Sequence, residues 1–336
     1  MCKSIKEKFD EKLTFEKLLE AEKRAKKGKG NKKKILKYEV DLETNIMNLY
    51  NSLKDGTYKM GEYRVFIIYE PKERVIKSLP FNDRIVHQWY IEEFIKPYIL
   101  KRFINDSYAC IDKRGTHLAI KKLQKYIREN KDCYVLKCDI KKYFHSINKD
   151  ILFSIMSKYI RNQKLLELTK VFIYDTDEIK SIPIGNYTSQ YFANIYLNEL
   201  DYFVKQELKI KYYLRYMDDF VLLIKSKEEA KNVLDKIRTF LDLKLNLELN
   251  KKTCYYPSYK GVNFCGYIVY NTHILIRKRS IKKIKRKINK WNILYNNKQL
   301  DYHKFILCFN SFKGHIKHAN SYNLYNKLCE KLEFEY

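Results

Sequence analysis

The sequence predicts an α+β fold, and three observations support that prediction. Helical and strand patterns alternate through the middle of the chain, as a layer of helices on a sheet requires. The chain has 336 residues, of which 45% are hydrophobic and 15% aromatic, so it can bury a full core. It contains no fixed-period repeat and no Pro- or Ser-rich linker. We therefore expect regions that pack together rather than separate beads.

The N-terminal part is predicted to be helical and strongly charged, followed by a hairpin and two helices. Residues 5–55 have helical patterning, and the basic segment 23–34 contains two glycines that indicate a flexible loop. The elements expected next are a hairpin over 63–76 broken at Pro71, a helix from Asp83 to Ile99 and a helix over 116–129.

The middle of the chain should then alternate between strands and helices. The expected elements are a strand ending at Asp139, a helical stretch near 148–172, a glycine turn at 181–190, a helix to about Gln206, a hairpin over 211–224, a helix over 227–241, and strands around 245–248 and 264–270.

The tail from Ser280 is predicted to be an amphipathic helix that Ser280 caps. Ile281, Ile284, Ile288 and Trp291 fall on one stripe, and six Lys or Arg residues cover the rest of the segment 280–291. The basic face is equally compatible with a solvated surface and with a nucleic-acid contact.

The net charge favours a polyanionic partner. The chain has 68 Lys and Arg against 40 Asp and Glu, and the resulting charge of +28 is spread along its length. Nucleic acid is the first candidate. A membrane surface is the alternative, but no apolar run approaches the ~18 residues of a span, and the first residues lack a signal-peptide core. We expect a cytoplasmic protein of bacterial or phage origin, without a membrane partner.

The cysteine pattern predicts free thiols and no zinc site. None of the eight cysteines forms a C-x-x-C pair, and several lie in apolar, strand-like segments. Cysteine in such a segment behaves as a small buried hydrophobe.

Two adjacent carboxylates are predicted at the tip of the hairpin over 211–224, namely Asp218 and Asp219. Like charges at the edge of an apolar sheet are costly unless cations neutralise them. An Asp-rich turn that satisfies its own backbone is the alternative. Asp139 also ends a short apolar strand, and this third carboxylate favours a metal site.

Three carboxylates on neighbouring strands can hold two Mg²⁺ ions roughly 4 Å apart, the arrangement used for nucleotidyl transfer. A donor set of Asp without His or Cys suits Mg²⁺, with Mn²⁺ as a substitute, better than zinc. A hydrolase could use similar residues but would not need so large a basic envelope.

Seven segments resemble, in order, the conserved blocks of reverse transcriptases. Segment 216–219 (Tyr-Met-Asp-Asp) resembles motif C, and 139–144 resembles motif A. The others resemble two fingers blocks (66–87 and 107–117), motif D (249–253), the motif E primer grip (264–267) and the thumb of group II intron and related lineages (311–320). The resemblance covers almost the whole chain.

This resemblance implies a right-hand polymerase with fingers, a palm built on an antiparallel sheet packed on helices, and a helical thumb. The implied divisions are an N-terminal helical extension with a basic loop (1–60), fingers (61–138), a palm with an interleaved fingers segment (139–270) and a basic helical thumb (271–336).

The resemblance also implies the roles of individual residues. The catalytic residues are Asp139, Asp218, Asp219 and Lys252. Asp219 is the weaker third ligand of the metal, and Lys251 is the alternative to Lys252 as the proton donor. The metal site comprises Asp139, Ile140, Asp218 and Asp219. The substrate-binding residues are Lys72, Arg74 and Arg114 for the triphosphate, Phe144 for excluding a 2′-hydroxyl, and Ile184, Gly185 and Gln190. The primer grip comprises Phe264, Gly266 and Tyr267.

Segment 184–190 departs from the usual motif B. Most reverse transcriptases have Gln before the Gly, whereas this chain has Ile184, with Gln190 after the Ser. This pattern resembles the reverse transcriptases of diversity-generating retroelements, which copy template RNA into cDNA with frequent errors opposite adenine. Loss of a polar contact of about 1–2 kcal/mol would loosen base discrimination roughly tenfold.

For that subclass the implied partners are template RNA, primer or cDNA, dNTPs and a small basic oligomeric accessory protein. Two alternatives remain open. One is a retron-type or antiphage-defence reverse transcriptase that makes cDNA from a non-coding RNA. The other is a catalytically dead polymerase fold that serves as an RNA-binding scaffold, although an acidic cluster has no use in a scaffold.

Overall fold

The structure is a computed structural model that describes Ile5 and residues 9–69 and 73–335. The predicted α+β class is confirmed, because helices surround antiparallel sheets. The N-terminal helices are α1 (Phe9–Lys12), α2 (Phe15–Lys26), α3 (Lys33–Val40) and α4 (Leu42–Lys54). Half of the basic segment 23–34 is therefore helical, and residues 27–32, which include both glycines, form the connection between α2 and α3.

The predicted first hairpin is confirmed by β1 (Arg64–Ile68) and β2 (Arg74–Ser78), which pair antiparallel. Its tip, with Pro71 and Lys72, lies outside the described residues. Helix α5 (Phe81–Tyr90) begins two residues before Asp83, and continues as a π-helical turn (Ile91–Ile95), α6 (Lys96–Tyr98) and a 3₁₀ turn (Leu100–Arg102). Asp83 is buried and accepts hydrogen bonds from Tyr58 Oη at 2.6 Å and Gly61 N at 3.2 Å, so it tethers α5 instead of capping it.

The central elements largely follow the predicted order. They are α7 (Thr116–Glu129), β3 (Tyr134–Asp139), α8 (Tyr143–Ser146), α9 (Lys149–Tyr159), α10 (Gln163–Ile173), α11 (Tyr187–Tyr202) with a π-helical turn (Phe203–Glu207), β4 (Tyr213–Tyr216), β5 (Asp219–Ile224), α12 (Lys227–Leu245) and β6 (Cys254–Pro257). The stretch 148–172 is two helices, because Asn162 caps α10 by accepting from Leu165 N at 3.0 Å. The strand expected around 245–248 is wrong, since α12 extends to Leu245 and Asn246 ends it in the left-handed region at φ 49°.

The C-terminal part contains β7 (Val262–Phe264), β8 (Tyr267–Val269), β9 (Ile274–Ile276), α13 (Lys278–Asn296), α14 (Tyr302–Ile316) and α15 (Tyr322–Cys329). The single strand expected near 264–270 is instead a hairpin that turns at Cys265 and Gly266, which have φ of 48° and 90°. Ser280 does not cap α13, because the helix begins two residues earlier, after Arg277.

A four-stranded antiparallel sheet with strand order β4-β5-β3-β6 lies at the centre. One face contributes Leu136, Phe220 and Leu222 to a core shared with α5, α11, α12 and the N-terminal helices. The other face contributes Val135, Val221 and Leu223 to a core shared with α7 and the sheet β7-β8-β9. Both faces are therefore buried, and the chemistry must lie at a strand end.

The seven cysteines in the described ranges are free thiols (Cys110, Cys133, Cys138, Cys254, Cys265, Cys308 and Cys329), whereas Cys2 lies outside those ranges. Of the helices in residues 9–69 and 73–335, none has both the length and the apolar composition that crossing a membrane would require.

Candidate active site

Strand register brings the predicted carboxylates together. The Cα of Asp139 on β3 is paired directly with that of Asp219 on β5, and Tyr216 pairs with Asp219 across the β4–β5 hairpin. Asp218 therefore lies in a two-residue turn with Met217, whose φ of 57° is the positive value that tight hairpin turns require at this position. The turn places Asp218 at the end of β3, beside Asp139.

The electrostatics of Asp218 show that these acids repel one another. Burial and the neighbouring charges of Asp139 and Asp219 raise the pKa of the Asp218 carboxyl to about 6, although Arg74 opposes the shift. Arg74, on β2, is therefore near enough for its positive charge to act on Asp218.

Asp219 has an ionic partner within the chain. Its Oδ1 forms an ion pair with Lys137 Nζ at 2.6 Å, and the two side chains are 32% and 21% exposed. The cause is strand alternation, which places the side chains of Lys137, Asp139 and Asp219 on the same face of the sheet. A cation of the chain thus pairs with the third acid, which agrees with the expectation that Asp219 is the weakest of the three as a metal ligand.

Asn250 is a site residue for which the sequence gave no role. Its Nδ2 donates to Asp139 Oδ2 at 3.0 Å, and its backbone N donates to Asp139 O at 2.7 Å. Its Oδ1 accepts from the backbone N of Lys252 at 3.1 Å. Asn250 therefore joins Asp139 to the turn that carries the exposed Lys252. The sequence feature that could have identified Asn250 is its position in the motif D segment.

The backbone of Ile140 is also directed toward the acids. Ile140 is bridged to Leu249, and the flanking hydrogen bonds run from Lys141 N to Glu248 O and from Asn250 N to Asp139 O. In an antiparallel pair of this type, the peptide groups of the central residue point away from its partner. Those of Ile140 therefore point to the side of β3 on which Asp218 lies.

The chemistry of these donors fits Mg²⁺. The donors are carboxylate and carbonyl oxygens, and Mg²⁺ characteristically takes one or two carboxylates and completes its shell with water or substrate phosphate. Within the described ranges, no three or more His, Cys, Asp or Glu side chains are grouped so as to hold a metal ion. Burial first, and the charge of Asp139 second, raise the pKa of Asp218, and a bound cation would favour its ionised form.

Motif B supports the first hairpin. Lys77 N on β2 donates to Ile184 O at 3.1 Å. Gly185 has φ +128°, and a Cβ there would lie 2.7 Å from Lys77 O. No other residue would allow this approach without displacing β2. Ile184 and Gly185 thus hold the hairpin that carries Arg74, whereas Lys72 lies outside the described residues.

Phe144 and Gln190 differ in burial. Phe144 is half-buried against the core, with its ring centroid 5.8 Å from that of Tyr143, and its carbonyl accepts from Ile182 N at 2.9 Å. Gln190 is exposed near the start of α11, and its Oε1 accepts from the Cys110 thiol at 3.4 Å. A half-buried ring in a fixed position can limit the volume available to a ligand.

Arg114 closes the loop before α7. Its Nη1 donates to Ile104 O at 2.7 Å and to Ser107 O at 3.1 Å, and its Nη2 donates to Asn105 Oδ1 at 3.4 Å. Its predicted contact with a triphosphate stays a prediction.

The predicted primer-grip side chains are largely internal. Phe264 and Tyr267 are fully buried, and Tyr267 Oη donates to His315 O at 2.8 Å. Lys137 Nζ lies 5.5 Å from the centre of the Phe264 ring, so the same lysine contacts Asp219 and this hairpin. Of the three predicted residues, Gly266 alone is partly exposed, and its backbone is the part that can meet a primer.

Comparison with known protein families gives one match that covers most of the chain. Residues 68–269 match the family model described as "Reverse transcriptase (RNA-dependent DNA polymerase)". The "Group II intron-encoded protein LtrA" of Lactococcus lactis is 24% identical over 325 residues, which cover 74% of this chain and 53% of that protein. "Protein YkfC" of Escherichia coli is 24% identical over 300 residues, covering 75% of this chain and 76% of YkfC. The chain spans about half the length of the lactococcal relative.

Solved structures of telomerase are also similar. Telomerase from Candida albicans has a TM-score of 0.48 and 12% identity, over 72% of this chain and 54% of the telomerase chain. Apo telomerase from Candida tropicalis has a TM-score of 0.49 and 13% identity, over 82% of this chain and 59% of the telomerase chain.

Proposed function

The chain belongs to the reverse transcriptase family, and we propose from that membership that it is an RNA-directed DNA polymerase. The observation that carries the proposal is the register that pairs Asp139 with Asp219 and places Asp218 beside them in the hairpin turn. Family membership supplies the reaction, and this strand end supplies a site with the right donors.

We assign the parts of the hand accordingly. The four-stranded sheet with its helices is the palm, the β1–β2 hairpin with the surrounding helices forms the fingers, and α13–α15 form the thumb. The basic face of α13 includes the exposed residues Lys282, Lys285 and Arg286, which suits contact with a nucleic-acid backbone.

In this proposal Asp139 and Asp218, with the carbonyl of Ile140, hold Mg²⁺. The bound metal would supply charge stabilisation for the attacking hydroxyl and the leaving pyrophosphate. Asn250 fixes the orientation of Asp139, and Lys137 keeps the charge of Asp219 compensated. Lys252, on the exposed turn after Asn250, is placed to donate a proton to pyrophosphate.

The remaining residues select and hold the substrate. Arg74 is the cation on β2 whose charge acts on Asp218, so it is placed to bind a triphosphate at the acids. Phe144 would reject a ribonucleotide by occupying the volume of a 2′-hydroxyl. Template RNA, a primer and dNTPs are the implied ligands.

Primer extension tests the activity directly. Purified protein with Mg²⁺, a primed RNA template and dNTPs should extend the primer, and EDTA should stop the reaction. Asp218→Asn should lower the rate by about 10³-fold, equivalent to about 4 kcal/mol. Asp235→Asn is the matched control, because Asp235 is an exposed acid on α12. Equal extension by Asp218→Asn would favour the RNA-binding scaffold.

We further propose that the enzyme belongs to the diversity-generating class and makes error-prone, adenine-mutagenised cDNA. The support is Ile184, an aliphatic residue where most reverse transcriptases have Gln. The carbonyl of Ile184 accepts a hydrogen bond from Lys77 N, which defines the position of the backbone. The difference from the usual Gln therefore lies in the side chain. An aliphatic side chain cannot hydrogen-bond to an incoming nucleotide.

Misincorporation opposite adenine tests Ile184. We expect Ile184→Gln to lower the error frequency at template adenine about tenfold, because the polar contact is restored. The matched control is Ile179→Gln, since Ile179 is 68% exposed. Equal error frequencies for wild type and Ile184→Gln would remove Ile184 as a fidelity determinant.

A retron-type or antiphage-defence enzyme is the second candidate, and sequencing of the cDNA made in cells separates the two. Adenine-specific changes in a copied variable region support the diversity-generating class, whereas faithful cDNA from a non-coding RNA supports the alternative. A small basic accessory protein would be repelled by a chain of charge +28, so we expect RNA to bridge such a complex.

A further inference from the structure

A buried ion pair lies behind the turn that carries Asp218. Arg215 on β4 and Asp201 near the end of α11 are both fully buried. Arg215 Nη2 donates to Asp201 Oδ2 at 2.6 Å, and its Nε donates to Oδ1 at 2.7 Å. This two-point contact fixes the plane of the guanidinium.

The fixed guanidinium also holds the catalytic turn. Arg215 Nη1 donates to Met217 O at 3.1 Å and to Asn194 Oδ1 at 2.9 Å. Met217 has a φ of 57°, a left-handed backbone conformation that residues other than glycine rarely adopt. A strained turn needs support from outside itself, and this hydrogen bond supplies it.

The rest of Arg215 and its partners are tied to the body of the protein. The backbone N of Arg215 donates to Asp106 O at 2.9 Å, and its carbonyl accepts from Tyr108 N at 3.0 Å. Asn194 on α11 donates to Ala109 O at 2.8 Å. Hydrogen bonds therefore connect α11 through Arg215 to Met217 without a break. Met217 is the residue before the proposed metal ligand Asp218.

We propose that Arg215 is a positioning residue that, held by Asp201, sets the geometry of the Met217–Asp218 turn for metal binding and catalysis. This role rests on the polymerase function proposed above. Arg215 does not touch the reacting atoms, and its effect passes through the carbonyl of Met217. Disturbing it should impair metal use and the chemical step while leaving RNA binding intact.

Two variants separate positioning from framework stability. Arg215→Lys keeps a buried charge for Asp201 but cannot reach both Asp201 and Met217 O with one ammonium group. The double variant Arg215→Met/Asp201→Asn removes both charges. In the wild type Tyr213 Oη donates to Asp201 Oδ1 at 2.7 Å, and the new amide oxygen at position 201 can accept the same hydrogen bond. Arg238→Lys is the matched control, because Arg238 is exposed on α12.

The experiment is single-turnover primer extension at increasing Mg²⁺, together with thermal unfolding and RNA binding of each variant. We expect both variants to bind RNA within about twofold of wild type, to require about tenfold more Mg²⁺, and to react about 10–100-fold more slowly at saturating Mg²⁺ and dNTP. Excess Mg²⁺ should restore part of the rate. The control should match wild type in all three measurements.

Three results would overturn the role of Arg215. The first is a wild-type Mg²⁺ titration and rate in either folded variant. The second is a loss of rate that parallels a loss of RNA binding. The third is failure of both variants to fold, which would make Arg215 part of the framework only. A wild-type protein that does not extend the primer would instead remove the polymerase function itself.

Discussion

At the scale of single residues, the site combines groups whose charges conflict. Asp218 lies beside Asp139 and Asp219, and the charges of Lys137, Arg74 and Arg277 offset this repulsion in part. Residues that are unfavourable in the folded chain are typical of catalytic sites, where a ligand supplies the missing interaction. The cost of ionising Asp218 should therefore be measurable without metal.

Substitution of Asp218 should stabilise the metal-free protein in a pH-dependent way. The folded pKa of about 6 lies above the unfolded value near 3.9, so the protonated form contributes stability that is complete below pH ~4 and lost as the pH rises through 6. Asp218→Asn mimics that form. In EDTA at pH 7.5 it should stabilise the protein by about 1–2 kcal/mol, and near pH 4 the gain should vanish.

Thermal unfolding of wild type and Asp218→Asn across this pH range checks the expectation, with Asp235→Asn as the exposed control. A lower Tm for Asp218→Asn than for wild type at pH 7.5 in EDTA would contradict the account. Mg²⁺ should raise the Tm of wild type more at pH 7.5 than at pH 5, because protonation competes with the metal.

The acids of the site were predictable from the sequence, whereas their partners were not. The three acids could be identified because adjacent carboxylates in an apolar hairpin are conspicuous. The partners of Asp219 and Asp139 could not, since Lys137 and Asn250 reach them only through strand register and a bridge between segments 111 residues apart. The acceptors of Arg114 could not be identified either, because they are two backbone carbonyls and the Asn105 side chain, brought together by a loop.

At the scale of elements, the fingers hairpin depends on one glycine. Gly185→Ala should displace β2, because the new Cβ would lie 2.7 Å from Lys77 O at a φ of +128°. We expect the KM for dNTP to rise about tenfold or more, since the hairpin carries Arg74, with a loss of stability of about 1–3 kcal/mol.

Steady-state primer extension and thermal unfolding measure these effects. Gly30→Ala is the matched control, because no atom lies within 4 Å of a Cβ at Gly30. An unchanged KM for dNTP in Gly185→Ala would show that the hairpin is not held at this position.

Most elements were predictable from periodicity, and the errors share a physical cause. The boundaries at Leu245, Ser280 and 264–270 were wrong because left-handed backbone at Asn246 and Cys265, and the docking of α13 after Arg277, are set by tertiary contacts. The sequence did not divide the helical stretch near 148–172, because Asn162 can be an interior residue or a cap and the sequence does not decide between them.

At the scale of the whole molecule, the two-sided burial of the central sheet places chemistry at a strand end. Apolar residues face α11 and α12 on one side and α7 with β7–β9 on the other. The acids are then confined to the edge where β3 ends and the β4–β5 hairpin turns. The net charge of +28 on the whole chain favours a polyanionic partner.

The most direct test of the account is the single-turnover rate of primer extension in Mg²⁺ for three variants, Asp139→Asn, Asp218→Asn and Asp219→Asn. In the proposed site Asp139 and Asp218 hold the metal, whereas Asp219 forms an ion pair with Lys137. The account predicts losses of about 10³-fold for the first two and a clearly smaller loss for the third. Wild-type rates in Asp139→Asn or Asp218→Asn would contradict it.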